Sequence, residues 1–167
     1  MISDAQELRA LQAPLKDRYR DEPEAAVVTL KARATLGEGV SCSVDTGRAI
    51  ATAGLHPATG GDGSLLCSGD MLLEALAACA GVTLRAVATA LEIGVEGAVH
   101  AEGDLDFRGT LGVDRDAPVG FRSIRVCFEL DSDADPERIA KLIELTERYC
   151  VVFQTLAGSP ELSMEVT

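Results

Sequence analysis

Stretches of period two alternate with stretches of helical period along this chain, and the switch points divide it into elements. Val28, Leu30, Ala32, Ala34 and Leu36 alternate with Thr29, Lys31, Arg33 and Thr35, which predicts a strand with one buried face. Gly37-Glu38-Gly39 turns that strand. Val40, Cys42 and Val44 resume the alternation, so the two runs read as a hairpin with Cys42 on its apolar side. Residues 54–70, GLHPATGGDGSLLCSGD, predict a long irregular loop of the kind that rims a site. A helix is predicted after Asp70, whose carboxylate can cap it. Leu72, Leu76, Cys79, Thr83 and Ala86 fall near one face, and Gly94 and Gly97 end the helical pattern.

Val99, Ala101, Gly103, Leu105 and Phe107 alternate with His100, Glu102, Asp104 and Asp106, a second half-buried strand. A turn-rich excursion follows from Gly109 to Gly120. Phe121 opens a third such strand, with Ile124, Val126, Phe128 and Leu130 alternating with Arg125, Cys127 and Glu129. Asp135-Pro136-Glu137 is a helix start: a cap, a proline in the first turn and an acid near the positive helix end. Ile139, Leu142, Ile143, Thr146, Tyr149, Cys150 and Phe153 trace one buried face of that helix. Leu162, Met164 and Val166 predict a closing strand. Upstream, Ser3 and Gln6 form a capping-box pattern before Leu8, Leu11 and Leu15, and Pro14 argues for two short turns or an arm rather than one helix. The order of elements predicts an α+β fold, with 1–24 as an N-terminal helical arm and 25–167 as the main domain.

Composition narrows the function. The 167 residues carry a formal charge of -12, which argues against nucleic acid and an anionic membrane surface as partners. The N-terminal MISDAQELRA does not read as a signal peptide. The apolar run from Met71 to Val95 is broken by Glu74, Arg85 and Glu92, and suits a central core helix better than a bilayer. The cytoplasm fits best. Five scattered cysteines are unlike a secreted disulfide scaffold. With His56 and His100 alone and no CxxC, neither a closed zinc site nor any other cofactor is expected.

Cys79, in LLEALAACAGVTL, and Cys150, in LTERYCVVF, each fall in a helical pattern. Packed helices could bring them together as a redox couple, in which one thiolate attacks a peroxide and the second thiol condenses with the resulting sulfenic acid. Plain core filling explains two buried cysteines equally well. A reactive thiol also needs a compensating donor or cation, which the pattern does not reveal. His56 is a candidate for lining a site, and a thioesterase-like hydrolase would need it. Asp70 is a candidate carboxylate. Glu74 lies about 140° round a helical wheel from Cys79, off its face. Gly60, Gly61 and Gly63 lack the lysine and spacing of a phosphate loop.

The two cysteine contexts, MLLEALAACAGVTL and ERYCVVFQTL, in this order and separation, resemble the OsmC/Ohr family of osmotically inducible and organic hydroperoxide resistance proteins, from about Val27 onward. The resemblance implies antiparallel sheets wrapped around two long central helices in an intertwined homodimer, with sites at the subunit interface. It implies a stress-response, thiol-dependent peroxidase that reduces organic hydroperoxides to alcohols. Cys79 would be the peroxidatic and Cys150 the resolving cysteine, reset by an external dithiol. Relatives usually place a glutamate where this chain has Gly69, an arginine near Gly37-Glu38-Gly39 and a proline after the second cysteine, where Val151 stands. Asp70, adjacent to Gly69, is the nearest substitute carboxylate. The alternative is a non-catalytic protein of the same fold that binds a small apolar ligand at the dimer interface.

Overall fold

A computed structural model describes residues 5–36, 42–44 and 54–166. The order is α1 (Ala5–Asp21), β1 (Val27–Leu36), β2 (Cys42–Val44), α2 (Ser68–Ala90), β3 (Glu96–Asp106), the one-turn α3 (Phe107–Thr110), β4 (Phe121–Asp131), α4 (Pro136–Tyr149) and α5 (Val151–Gly158). Single 3-10 turns lie at Pro23–Ala26 and Pro57–Thr59. The strands form one sheet in the order β2-β1-β3-β4, with β1 and β2 antiparallel and Ala34 opposite Val44. This is an α+β fold with a small antiparallel sheet and one long helix. The capping box at Ser3, the turn at Gly37-Glu38-Gly39 and the facing of the Cys42 side chain lie outside the described residues.

Several expectations are corrected. Pro14 lies inside α1, which continues through it. Helix α2 begins at Ser68, where the Met71 N–H already bonds the Cys67 carbonyl at 3.1 Å. Asp70 is therefore in the first turn and is not the cap. The buried stripe of α2 is Leu73, Leu76, Ala77, Ala80, Leu84 and Ala88, one position round from the predicted face, and Ala86 is exposed. Glycine does not end this helix. Glu92, at φ 53°, takes the left-handed position; Ile93 N–H bonds Ala88 O at 2.9 Å and Glu92 N–H bonds Thr89 O at 3.2 Å. Gly97 instead belongs to β3, at φ 136°, where a Cβ would sit 1.9 Å from the Glu129 carbonyl oxygen. Phe107 leaves the strand to open α3. Residues 159–166 hold no strand, and Leu162, Met164 and Val166 are exposed.

The chain divides into two compact units. The first comprises 1–32, 46–74 and 101–126. Its core contains Tyr19, Ala26, Leu73, Ala101, Leu105 and Phe107. The Tyr19 hydroxyl donates to Ala58 O at 2.7 Å, tying α1 to the loop before α2. Buried Asp106 caps α3 through the Arg108 N–H and accepts the Arg108 guanidinium at 2.6 Å. Asp104 accepts from Thr29, Ser123 and Arg125 at 2.5, 2.7 and 2.6 Å.

These partners hold both carboxyls below the ordinary 3.8. The hydrogen bond from Arg125 is foremost for Asp104, and that from Arg108 for Asp106, against the opposing effect of burial. A carboxyl with a folded pKa below its unfolded value contributes stability that is complete above the unfolded value. That stability is lost as pH falls toward the folded one. The melting temperature is accordingly expected to hold down to about pH 4 and fall steeply below it. Asp104→Asn and Asp106→Asn should each lower it at neutral pH and flatten its acid dependence. A calorimetric series against pH checks both.

The second unit comprises 33–45, 75–100 and 127–167. Its core is Leu84, Ala88, Ile93, Val95 and Leu142, with Phe128, Leu130 and Ile139 packed against it. Arg138 of α4 donates to Leu91 O at 2.7 Å, meeting the negative end of α2.

Candidate functional site

The predicted single helix ending near Phe153 is two helices, and Cys150 is the joint. Its backbone is extended, at φ -71° and ψ 106°. Its N–H still bonds Thr146 O of α4 at 2.9 Å, and its carbonyl takes the Gln154 N–H of α5 at 2.9 Å. One residue thus closes one helix and starts the next. The first N–H groups of α5 have no partner within the helix and are aimed outward from its positive end.

Those amides meet Cys79. The N–H groups of Val152 and Val151, the Cys150 thiol and the Thr83 hydroxyl one turn along α2 lie near enough to Cys79 to draw its pKa down. Partial burial works against the thiolate, but the four donors outweigh it, and the Cys79 pKa lies below the ordinary value of 9.0. Cys150 goes the other way. Burial pushes its thiol up to about 11, and its position as donor to Cys79 adds to the rise. Both are free thiols; Cys79 is half-buried, whereas Cys150 is 1% exposed. The pair is therefore asymmetric. One sulfur is reachable and inclined to the anion, and the other is enclosed and retains its proton.

The other sequence candidates are not among these donors. His56 stacks on Phe107 with ring centroids 5.0 Å apart, and its Nδ1 accepts the Ala58 N–H at 3.0 Å. Asp70 is half-buried in the first unit; burial raises its pKa, and the nearby His56 pulls it back. Glu74 is half-buried on α2 and engaged by a neighbour. Cys67 is half-buried and Cys127 exposed. No metal-ligating cluster is found among the described residues. A cleft of about 640 Å³ lies at the end of α2, lined by Arg85, Glu96, Asp131, Ser132 and Arg138 among others, and contains neither Cys79 nor Cys150. Arg85 there donates to Val95 O at 2.7 Å, so it braces the turn.

The donors that activate Cys79 are what the sequence reading missed. Two of them, the N–H groups of Val151 and Val152, are main-chain groups, and a continuous helix through Cys150 would have spent them internally. The one local signal was the β-branched pair Val151-Val152, which weakens a helix at the position where this one breaks.

The family model for OsmC-like protein matches residues 61–165, which include both cysteines and every donor just described. The chain belongs to the OsmC-like family. Two solved structures share the fold. An OsmC-like hydroperoxide resistance protein from Jannaschia sp. CCS1 is 19% identical, with a TM-score of 0.61 over 85% of this chain and 94% of that one. An OsmC-like protein from Mycoplasma pneumoniae is 21% identical, with a TM-score of 0.53 over 79% and 86%. No curated protein matches the chain.

Helix α2 is long and apolar enough to cross a membrane by length and composition alone, and 44% of the relevant window is buried within the fold. As the core helix of an OsmC-like chain it has a use for that apolar surface.

Proposed function

We propose that this OsmC-like protein reduces organic hydroperoxides through Cys79 and Cys150, and the observation that carries the reading is the nearness of the two thiols, close enough for each to shift the other's pKa. The Cys79 thiolate attacks a peroxide oxygen and the O–O bond breaks. Sulfur keeps one oxygen as a sulfenic acid, and the alkoxide takes a proton from water and leaves as an alcohol. The Cys150 sulfur then attacks the sulfenic sulfur. The S–S bond forms, and the sulfenic hydroxyl leaves with the thiol proton as water. An external dithiol reduces the disulfide by exchange and is itself oxidised. The nearness of the thiols favours this over simple ligand binding, because it allows resolution without unfolding either helix.

The surroundings favour an apolar substrate. Val82 and Val151 are exposed beside the two cysteines in sequence, and α5, VVFQTLAG, has no buried residue. These uncovered side chains also support the expectation of an intertwined homodimer with sheets around the paired helices, 25–167 forming the OsmC-like domain and 1–24 an arm. Sedimentation equilibrium should then give twice the chain mass.

The test is stoichiometric. One equivalent of an alkyl hydroperoxide should be consumed per chain, with loss of two thiols, and peptide mapping should find Cys79 joined to Cys150. An added dithiol should convert this into turnover. Retention of all thiols with the hydroperoxide intact would sink the reading in favour of a binding protein. Alkylation should show the same asymmetry before any peroxide is added. At pH 7 iodoacetamide is expected to label Cys79 much faster than Cys150, because the lower pKa populates more thiolate. Cys150 should gain rate only as pH climbs toward about 11. Equal rates at pH 7 would refute the assignment of roles.

A further inference from the structure

The two thiols differ in access, and that difference bears on how an oxidised pair is reset. Cys79 lies on the open side of α2. Ala75 one turn before it, and Val82 and Ala86 one and two turns beyond it, follow helical spacing and are all exposed. The side chains there are short, so the half-buried sulfur has an approach from solvent. Cys150 instead ends the buried stripe of α4, four residues after Thr146 and eight after Leu142, and is 1% exposed. Its backbone is held on both sides. Its N–H bonds Thr146 O at 2.9 Å, and its carbonyl takes the Gln154 N–H at 2.9 Å. Swinging Cys150 outward would break the helix ends that meet there.

We propose that the external dithiol attacks the sulfur of Cys79 and not that of Cys150, so that one opening on α2 admits first the oxidant and then the reductant. This rests on the reading of Cys79 and Cys150 as the disulfide-forming pair. A thiolate approaches a disulfide sulfur along the extension of the S–S bond and needs access behind it. Of the two sulfurs, Cys79 has that access. A bond forms between the reductant and Cys79 while the Cys79–Cys150 bond breaks. Its electron pair goes to Cys150, which takes a proton from water. The second thiol of the reductant then attacks the first, expels Cys79 as a thiolate, and the reductant leaves as a disulfide.

Leaving-group chemistry pulls the other way. Attack at Cys150 would release Cys79, the more acidic thiol. With Cys79 below 9.0 and Cys150 at about 11, that preference is on the order of tenfold. Enclosure outweighs it. Reaching a sulfur that is 1% exposed requires opening the joint between α4 and α5, against two backbone hydrogen bonds and the packing of the α4 stripe. The preference is cancelled once the open joint is populated below about one part in ten, and core segments open far more rarely than that.

The experiment needs no peroxide. Diamide, a two-electron thiol oxidant, closes the disulfide in the full-length protein and is then removed. Excess N-acetylcysteine, a monothiol, is added, the reaction is quenched with acid at intervals, and peptide mass spectrometry locates the first mixed disulfide. The adduct is expected on Cys79 about tenfold or more in excess over Cys150. An adduct mainly on Cys150, or equally on both, would overturn the proposal. Failure of diamide to join Cys79 to Cys150 would overturn it together with its premise. Val82→Phe narrows the opening at an exposed position and should slow the reduction about threefold or more, with circular dichroism unchanged. Leu162→Phe, exposed in the C-terminal segment, should leave the rate as it was. A parent-like rate in Val82→Phe would refute entry over α2. An adduct on Cys79 in a protein that leaves hydroperoxides intact would uphold the entry point while refuting the function proposed above.

Discussion

Replacing Cys79 with serine is expected to stop hydroperoxide turnover, lowering the rate by roughly a thousandfold or more, the scale on which loss of a nucleophile acts. Serine fits the same space and accepts the same donors, but its hydroxyl does not ionise near neutral pH, so the site holds a neutral alcohol where it held an anion. Oxygen also cannot store the transferred oxygen atom as sulfur does. Cys150→Ser should behave differently. Cys79 still attacks, one equivalent of peroxide is consumed, and the chain gains the mass of one oxygen. With an unhindered monothiol present, turnover through the half-buried sulfur should continue slowly; with no thiol added it should end after that single event. Following peroxide loss and intact mass for both variants decides the assignment. Turnover within about tenfold of the parent in Cys79→Ser would transfer the role to another thiol, with half-buried Cys67 the first to examine.

The sequence carries the pair but not the geometry that differentiates its members. The strands were legible because β3 and β4 expose alternate side chains, and Ile124, Val126, Phe128 and Leu130 are each better covered than their neighbours. The start of α4 was legible because Asp135-Pro136-Glu137 states it locally. The buried face of α2 was displaced because alanine and glycine at 77, 80 and 81 give little contrast between its sides. The break at Cys150 was illegible for a deeper reason. The amphipathic period continues through it, and Thr146, Cys150 and Phe153 keep the spacing of one helix. Only tertiary contact shows that the chain turns there, freeing its amides for a sulfur on another helix. His56 and Asp70 illustrate the converse. Both are polar residues in a glycine-rich loop, which marks them for a site, yet the histidine is engaged in stacking and in capping its own turn.

Leu142→Ala is expected to be the most destabilising truncation in the second unit, at about 2–5 kcal/mol. Leu142 is fully buried among Leu84, Ala88, Ile93 and Val95, so removing its branched end opens a cavity against α2. In a chain of this size that loss lowers the melting temperature by roughly 2–4 °C for each kcal/mol. The consequence for chemistry follows from which elements the cluster joins. Leu84 shares α2 with Cys79, and Leu142 shares α4 with Thr146 and the joint at Cys150. The same apolar contact that stabilises the unit therefore holds the two sulfurs together. Loosening it should slow disulfide formation after peroxide treatment at temperatures where the variant is still folded, with less effect on the first attack, which needs Cys79 alone. Leu162→Ala removes as many atoms from an exposed position and should change stability by no more than about 0.5 kcal/mol. Urea titration of the two variants, read beside the rate of Cys79–Cys150 crosslinking, separates packing from chemistry. Unchanged crosslinking in a destabilised Leu142→Ala would show that the thiols are held by something other than this core.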